Sequence, residues 1–160
     1  RPKAGEPAPA FVLNDLSGSE VSFPGEDVSP AIIHFWATWC GQCISELPSF
    51  NRFYGEYSNK DLKIFAISID DDQDKQAVEA IMENMGFAFP VLMDSKGVVS
   101  DLYKNMGVPE TVIIKSDGII FERFVGAVDW NSEKLRTVVD SLFSQSGGEN
   151  VSGDKGPQGK

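Results

Sequence analysis

The sequence predicts a single α/β domain whose elements run ββ-βα-βα-ββα, and three observations carry that prediction. Ala31 to Ala37 (AIIHFWA) and Leu62 to Ile69 (LKIFAISI) are short, nearly continuous runs of branched and aromatic residues. That is how strands covered on both faces read. Stretches of helical character follow each run. Thr111 to Ile114 and Ile119 to Val125 then flank Ser116-Asp117-Gly118, a turn signal that makes them an antiparallel hairpin.

Taken in order, Arg1 to Pro9 (RPKAGEPAP) is Pro-rich and reads as an extended lead-in. Phe11 to Leu13 and Val21 to Phe23 flank Ser17-Gly18, which predicts a short β-hairpin ahead of the main fold. After the first buried strand, residues from Cys40 onward have helix-forming character as far as a kink at Pro48. The second strand ends in aspartates at 70, 71 and 72, placed to favour the positive end of a helix whose apolar face is Ala77, Val78, Ile81, Met82 and Met85. Leu135, Val138, Val139, Leu142 and Phe143 repeat at the spacing of a closing amphipathic helix. From Ser144 the chain is Gly, Ser and charge with almost no apolar side chains. It cannot offset its ordering entropy, so the division is a lead-in over 1–9, a domain over 10–145 and a disordered tail over 146–160.

Composition bounds the function. The 160 residues suit one domain with its own core, and 41% hydrophobic with 24% charged residues is ordinary globular composition. Fourteen basic against twenty-four acidic side chains give a net charge of −10, with the acids spread along the chain. Such a surface repels phosphate backbones and anionic lipid, which excludes nucleic acid as a partner and a basic membrane patch. No run approaches eighteen apolar residues. The chain begins at Arg1 without the apolar core of a signal peptide, so it reads as a mature or truncated form, with any membrane attachment made through a removed N-terminal anchor.

Chemistry concentrates at the two cysteines. Cys40-Gly41-Gln42-Cys43 directly follows the first buried strand, and Trp39 precedes it. A sulfur at a helix start meets unsatisfied backbone N–H groups, which lower its pKa. Cys40 is therefore the attacking sulfur, and Cys43, one turn on and better shielded, resolves the mixed disulfide. Alternatives stand beside this. A structural disulfide over so short a ring contributes only roughly 2 kcal/mol. A zinc site lacks ligands, with two Cys and one His in the chain. Idle thiols are a third option. No metal or other cofactor is expected beyond the redox disulfide itself.

Phe35-Trp36-Ala37-Thr38-Trp39-Cys40-Gly41-Gln42-Cys43, Glu46-Leu47-Pro48 and Gly107-Val108-Pro109-Glu110-Thr111, in that order, resemble the TlpA/ResA-like thioredoxins, extracytoplasmic thiol-disulfide oxidoreductases. The resemblance spans roughly Gly5 to Gln145. It implies a thioredoxin-like fold: a central mixed sheet flanked by helices, with an added N-terminal hairpin and an insertion, here about 87–106, before a cis proline. It also implies export to the periplasm or outer face of the membrane and protein disulfide substrates, apocytochrome c or another envelope thiol protein among them. Electrons would come from a membrane thiol-disulfide donor. The family usually carries Pro before the second Cys, where this chain has Gln42. Its retained N–H can donate to a sulfur and favour the thiolate, which makes the disulfide more oxidising.

The supporting residues each have two readings. Glu46 lies one helical turn beyond Cys43, where it either exchanges a proton with that thiol, the role the resemblance implies, or is a solvated helix residue. His34 shares a strand face with Ile32 and Trp36 and is either a proton relay beneath the cysteines or a neutral core histidine bonded to backbone. The Val108-Pro109 bond is expected to be cis on the strength of the resemblance, leaving Val108's backbone free to pair with an extended substrate. Trp39 is placed at the rim of the site. The favoured function is a reductase of protein disulfides; a thiol oxidant or isomerase of the same fold is the alternative. A thiol peroxidase would need Ser or Thr where Ala37 stands, and a copper chaperone would need a distal His that the chain lacks.

Overall fold

The computed structural model describes residues 1–151, with side chains through 143. Seven strands form one sheet in the order β2-β1-β5-β4-β3-β6-β7. They are β1 (Phe11–Asp15), β2 (Glu20–Phe23), β3 (Ala31–Trp36), β4 (Lys63–Ser68), β5 (Val91–Met93), β6 (Glu110–Ile114) and β7 (Ile120–Val125), with helices α1 (Gly41–Tyr57), α2 (Lys75–Met85), α3 (Val98–Leu102) and α4 (Glu133–Val151). Strand β3 is parallel to β4 and antiparallel to β6, so the sheet is mixed, as expected.

Every residue of β3 is buried, which explains its unbroken apolar run. Alternation along it divides the core. Ile32 and Trp36 pack with Phe50 and Phe53 of α1, Val78 of α2 and Leu135 and Val139 of α4, while Ile33 and Phe35 meet Phe11, Phe65, Val99 and Tyr103 on the other face. His34 lies on the first face, opposite Thr111 in the ladder. Helix α1 continues through Pro48 to Tyr57 rather than stopping there; the proline lacks an N–H for the carbonyl four residues back, and the buried face of Leu47, Phe50 and Phe53 holds the helix together across it.

The expected insertion over 87–106 contains a strand: β5 pairs parallel with β4 and antiparallel with β1, joining the hairpin to the main sheet, and its three residues are too few to show a period. Two local expectations change. The aspartates at 70–72 do not open one helix. Asp70 is buried beyond β4, Asp71 caps a single 3-10 turn, and α2 starts only at Lys75. On α2 only Val78 is fully buried and Met85 is exposed. The lead-in is tied down, with Gly5 N–H donating to Ile120 O and Ala8 N–H to Gly118 O, both at 2.9 Å. Of the tail expected over 146–160, α4 includes residues to Val151 and 152–160 lie outside the described residues. Among the described residues no helix is long and apolar enough to cross a membrane.

Candidate active site

The end of β3 aims the chain at the start of α1, and the turn between them is pinned from β4. Asp70, itself buried, accepts from Thr38 Oγ1 on Oδ1 at 2.6 Å and, on Oδ2, from Thr38 N–H at 3.0 Å and Ser68 Oγ at 2.6 Å. Three donors on one buried carboxylate hold Thr38, and with it the approach to Cys40.

Cys40 is the N-cap of α1 with extended backbone, and it is bonded to Cys43 in a disulfide with Cα atoms 5.2 Å apart. Its sulfur accepts from Cys43 N–H at 3.1 Å. The helix-start donor predicted for the attacking sulfur is therefore present, although it belongs to Cys43 and not, as expected, to Gln42. Gly41 and Gln42 are exposed, Cys40 is half-buried and Cys43 is fully buried. A thiol or disulfide from solution reaches Cys40 first. Trp39, which directly precedes Cys40, is 66% exposed.

The loop before β6 closes the other side. Val108-Pro109 is cis, and Val108 O lies 3.7 Å from Cys40 Sγ, a carbonyl within reach of the thiol once the disulfide opens. Pro109 O accepts from Gly126 N–H at 2.9 Å, which anchors the loop to the end of β7. Glu110, next in sequence, is buried and accepts on one oxygen from Arg123 Nε at 2.9 Å, Arg123 Nη2 at 2.6 Å and Arg1 Nη2 at 2.6 Å.

Glu46 is not a solvated helix residue. It is 5% exposed, and Oε2 accepts from Trp130 Nε1 at 2.6 Å and Val128 N–H at 3.1 Å. Burial pushes its carboxyl up to about 7, against the smaller opposing pull of those two donors. A buried carboxyl that holds its proton near neutrality, one turn from the buried sulfur, is equipped to trade protons with it. His34 is wholly buried, stacked on Phe50 with ring centroids 4.8 Å apart. Nδ1 is 3.0 Å from Thr111 Oγ1, so its partner is a side chain and not the backbone the sequence suggests. Burial pushes the imidazole down to about 3, and the ring is neutral at physiological pH. Its Nε2 faces Glu46 Oε1 at 3.7 Å.

The structure thus brings Cys40, Cys43, Glu46, Val108 and His34 into one neighbourhood. Sequence reasoning missed Trp130, Val128, Thr111 and Asp70 as contributors. Trp130 carried a usable signal, an aromatic inside the polar run Asp129-Trp130-Asn131-Ser132 just before a helix. A backbone amide such as that of Val128 carries none.

The family model described as AhpC/TSA family matches residues 4–123. ResA, a thiol-disulfide oxidoreductase of Bacillus thuringiensis, is 31% identical over 122 residues, covering 76% of this chain and 69% of that one. The Oceanobacillus iheyensis ResA is 35% identical over 130 residues, covering 79% and 67% respectively. Among solved structures, StoA from Bacillus subtilis superposes with a TM-score of 0.71 at 26% identity over 82% of this chain and 97% of that one. A DsbE-type thiol:disulfide interchange protein from Chlorobium tepidum does so with a TM-score of 0.78 at 25% identity over 89% and 99%.

Proposed function

The chain belongs to the AhpC/TSA family as a ResA-like thiol-disulfide oxidoreductase of thioredoxin-like fold, and from that premise we propose that it reduces disulfides of exported proteins outside the cytoplasm. One observation carries the reading: the reachable sulfur and the acid sit on different cysteines. Cys40 has the backbone donor, while fully buried Cys43 has Glu46 one turn away.

The chemistry follows from that division. In the dithiol, the Cys40 thiolate attacks one sulfur of a substrate disulfide, forming a mixed disulfide and releasing the first substrate thiolate. Cys43 gives its proton to Glu46 and attacks Cys40 Sγ. The Cys40–Cys43 disulfide forms, the second substrate thiolate leaves, and two electrons have passed to the substrate. An external dithiol restores the reduced enzyme. Val108 O and the exposed Trp39 lie where an extended substrate segment would lie over Cys40.

Two effects oppose each other in setting the direction. The Cys43 N–H donor favours a thiolate on Cys40 and pulls the couple toward an oxidant, whereas burial disfavours a thiolate on Cys43 and an ionised Glu46 disfavours it further. The reductant reading takes the second effect as the larger: destabilising the ionised dithiol favours the disulfide, so the couple gives up electrons readily. The named relatives are thiol-disulfide oxidoreductases, which supports the reaction; the class of substrate, apocytochrome c or another envelope thiol protein, comes from the motif resemblance. Equilibration against dithiothreitol tests the direction. A potential nearer the roughly −270 mV of thioredoxin than the roughly −120 mV of DsbA is expected, and a value at the DsbA end would make the protein an oxidant.

A further inference from the structure

His34 is a titratable group that the thiol chemistry leaves without a task, and one of its two ring nitrogens lacks a hydrogen bond. Its Nε2 is buried with no hydrogen-bond partner. So is Glu46 Oε1, and these two atoms face each other at 3.7 Å. Their opposite ends are fixed. Glu46 Oε2 already takes two N–H donors, from Trp130 and Val128, and His34 Nδ1 meets Thr111 Oγ1.

Donor and acceptor counting then restricts the pair. With Oε2 occupied, a proton on Glu46 belongs on Oε1. Neutral imidazole carries one N–H, and Thr111's hydroxyl can either accept from or donate to Nδ1. When Glu46 is protonated, the consistent arrangement is Oε1–H directed at a bare Nε2, with Nδ1–H donating to Thr111. When Glu46 is ionised, an acceptor would face an acceptor unless the imidazole proton moves. The consistent arrangement is then Nε2–H directed at Oε1, with the Thr111 hydroxyl donating to Nδ1. Histidine stays neutral in both, as its burial requires.

We propose that His34 is a positioning residue acting through Glu46: it changes tautomer each time Glu46 gains or loses its proton, so that both forms of the buried acid have a partner. The groups facing the pair are Thr111 from β6, the Trp130 indole and Val128 amide from the β7–α4 connection, and the uncharged Phe50 ring on one side, with Cys43 one helical turn before Glu46 and bonded to Cys40. No other charged side chain is joined to either group by a hydrogen bond or ion pair among the described residues. Proton balance is kept within the network. The imidazole gains one proton at Nε2 as it loses one at Nδ1, and the net proton released is Glu46's own. This rests on the proton-exchange role of Glu46 only for its use in the reaction; the tautomer change itself does not.

Imidazole nitrogen shifts of His34 in the ¹⁵N-labelled oxidised protein read the tautomer directly, and the Glu46 carboxyl carbon reads the acid. The expected result is a switch from the Nδ1–H to the Nε2–H form with the same midpoint as the Glu46 carboxyl. In folded Glu46→Gln protein the switch is expected to vanish. Thr111→Val leaves a buried Nδ1–H without an acceptor in the form with Glu46 protonated, a heavier loss than the bare Nδ1 of the other form, so the Glu46 midpoint should fall by about tenfold in proton affinity, the scale of one hydrogen bond, while Thr111→Ser leaves it in place. A single tautomer across the Glu46 midpoint, or a switch that persists in Glu46→Gln, overturns the proposal. A coupled switch without any effect of Glu46→Gln on mixed-disulfide resolution would keep the pair and remove only its link to Cys43.

Discussion

Two buried glutamates lie near the site, one two residues after Val108 and one three residues after Cys43, and their surroundings suit them to opposite work. Glu110, after the cis proline, meets guanidinium groups of Arg123 and Arg1 on a single oxygen. Glu46, one turn past Cys43, meets only neutral partners, an indole N–H, an amide N–H and an uncharged imidazole. Permanent positive charge locks the first into a strut between the loop before β6, β7 and the lead-in, whereas neutral donors leave the second able to hold a proton near neutrality. Burial alone does not fit an acid for proton exchange; the charge of its partners decides.

The largest expected effect comes from breaking the strut. Glu110→Ala leaves the Arg123 guanidinium, whose side chain is 7% exposed, without its partner. A loss of about 3–5 kcal/mol in urea unfolding is expected. A loss below about 1 kcal/mol would make Glu110 an ordinary surface acid and dissolve the contrast.

Proton linkage sharpens it next. Glu46 is raised from 4.5 to about 7 on folding, so its contribution to stability is full below about 4.5 and is lost as pH rises to 7. His34 is lowered from 6.5 to about 3, so its contribution is present above 6.5 and is lost as pH falls toward 3. Between 4.5 and 6.5 the two slopes cancel, because the folded pair keeps its one proton on the carboxyl and the unfolded pair keeps it on the imidazole. Glu46→Gln removes one side of that balance. Its stability relative to the native sequence should climb with pH across this window by about 1.4 kcal/mol per pH unit, measured by denaturant titration at fixed salt. Parallel curves would mean that the acid is not shifted.

In the reaction, Glu46→Gln should slow resolution of the Cys40 mixed disulfide on the order of ten- to a hundredfold and flatten its pH profile, read by stopped-flow with a model peptide disulfide. A Glu110 variant that still folds should retain the profile's shape. The smallest effect belongs to the turn: Thr38→Val, which removes one hydroxyl donor from Asp70, should cost about 1 kcal/mol and leave thiol titration unchanged.

What the sequence made legible was whatever depends on pattern. Buried strands β3 and β4 announce themselves as apolar runs, and the cysteine pair is marked by its place after β3. The GVPET stretch, through its resemblance, led to a cis bond and to a loop beside Cys40, both of which the structure contains. Strand β5 has three residues, too short to show any period, and its role exists only once β1 and β4 lie beside it. Asp70 read as a helix entry because a run of aspartates is usually solvated; its burial against Thr38 and Ser68 is set by tertiary contact. The active role of Glu46 was one of two readings at helical spacing from Cys43. What was missing was Trp130, eighty-four residues away, whose indole decides that the carboxyl points inward.

The most direct test of the contrast between the two acids is the pH titration of the Glu46 carboxyl carbon by ¹³C NMR in the folded, oxidised protein. A midpoint near 7 is the expected result, the signature of an acid buried among neutral partners. A midpoint near its ordinary value of 4.5 would contradict the account, making Glu46 a second structural carboxylate and leaving Cys43 without its proton acceptor.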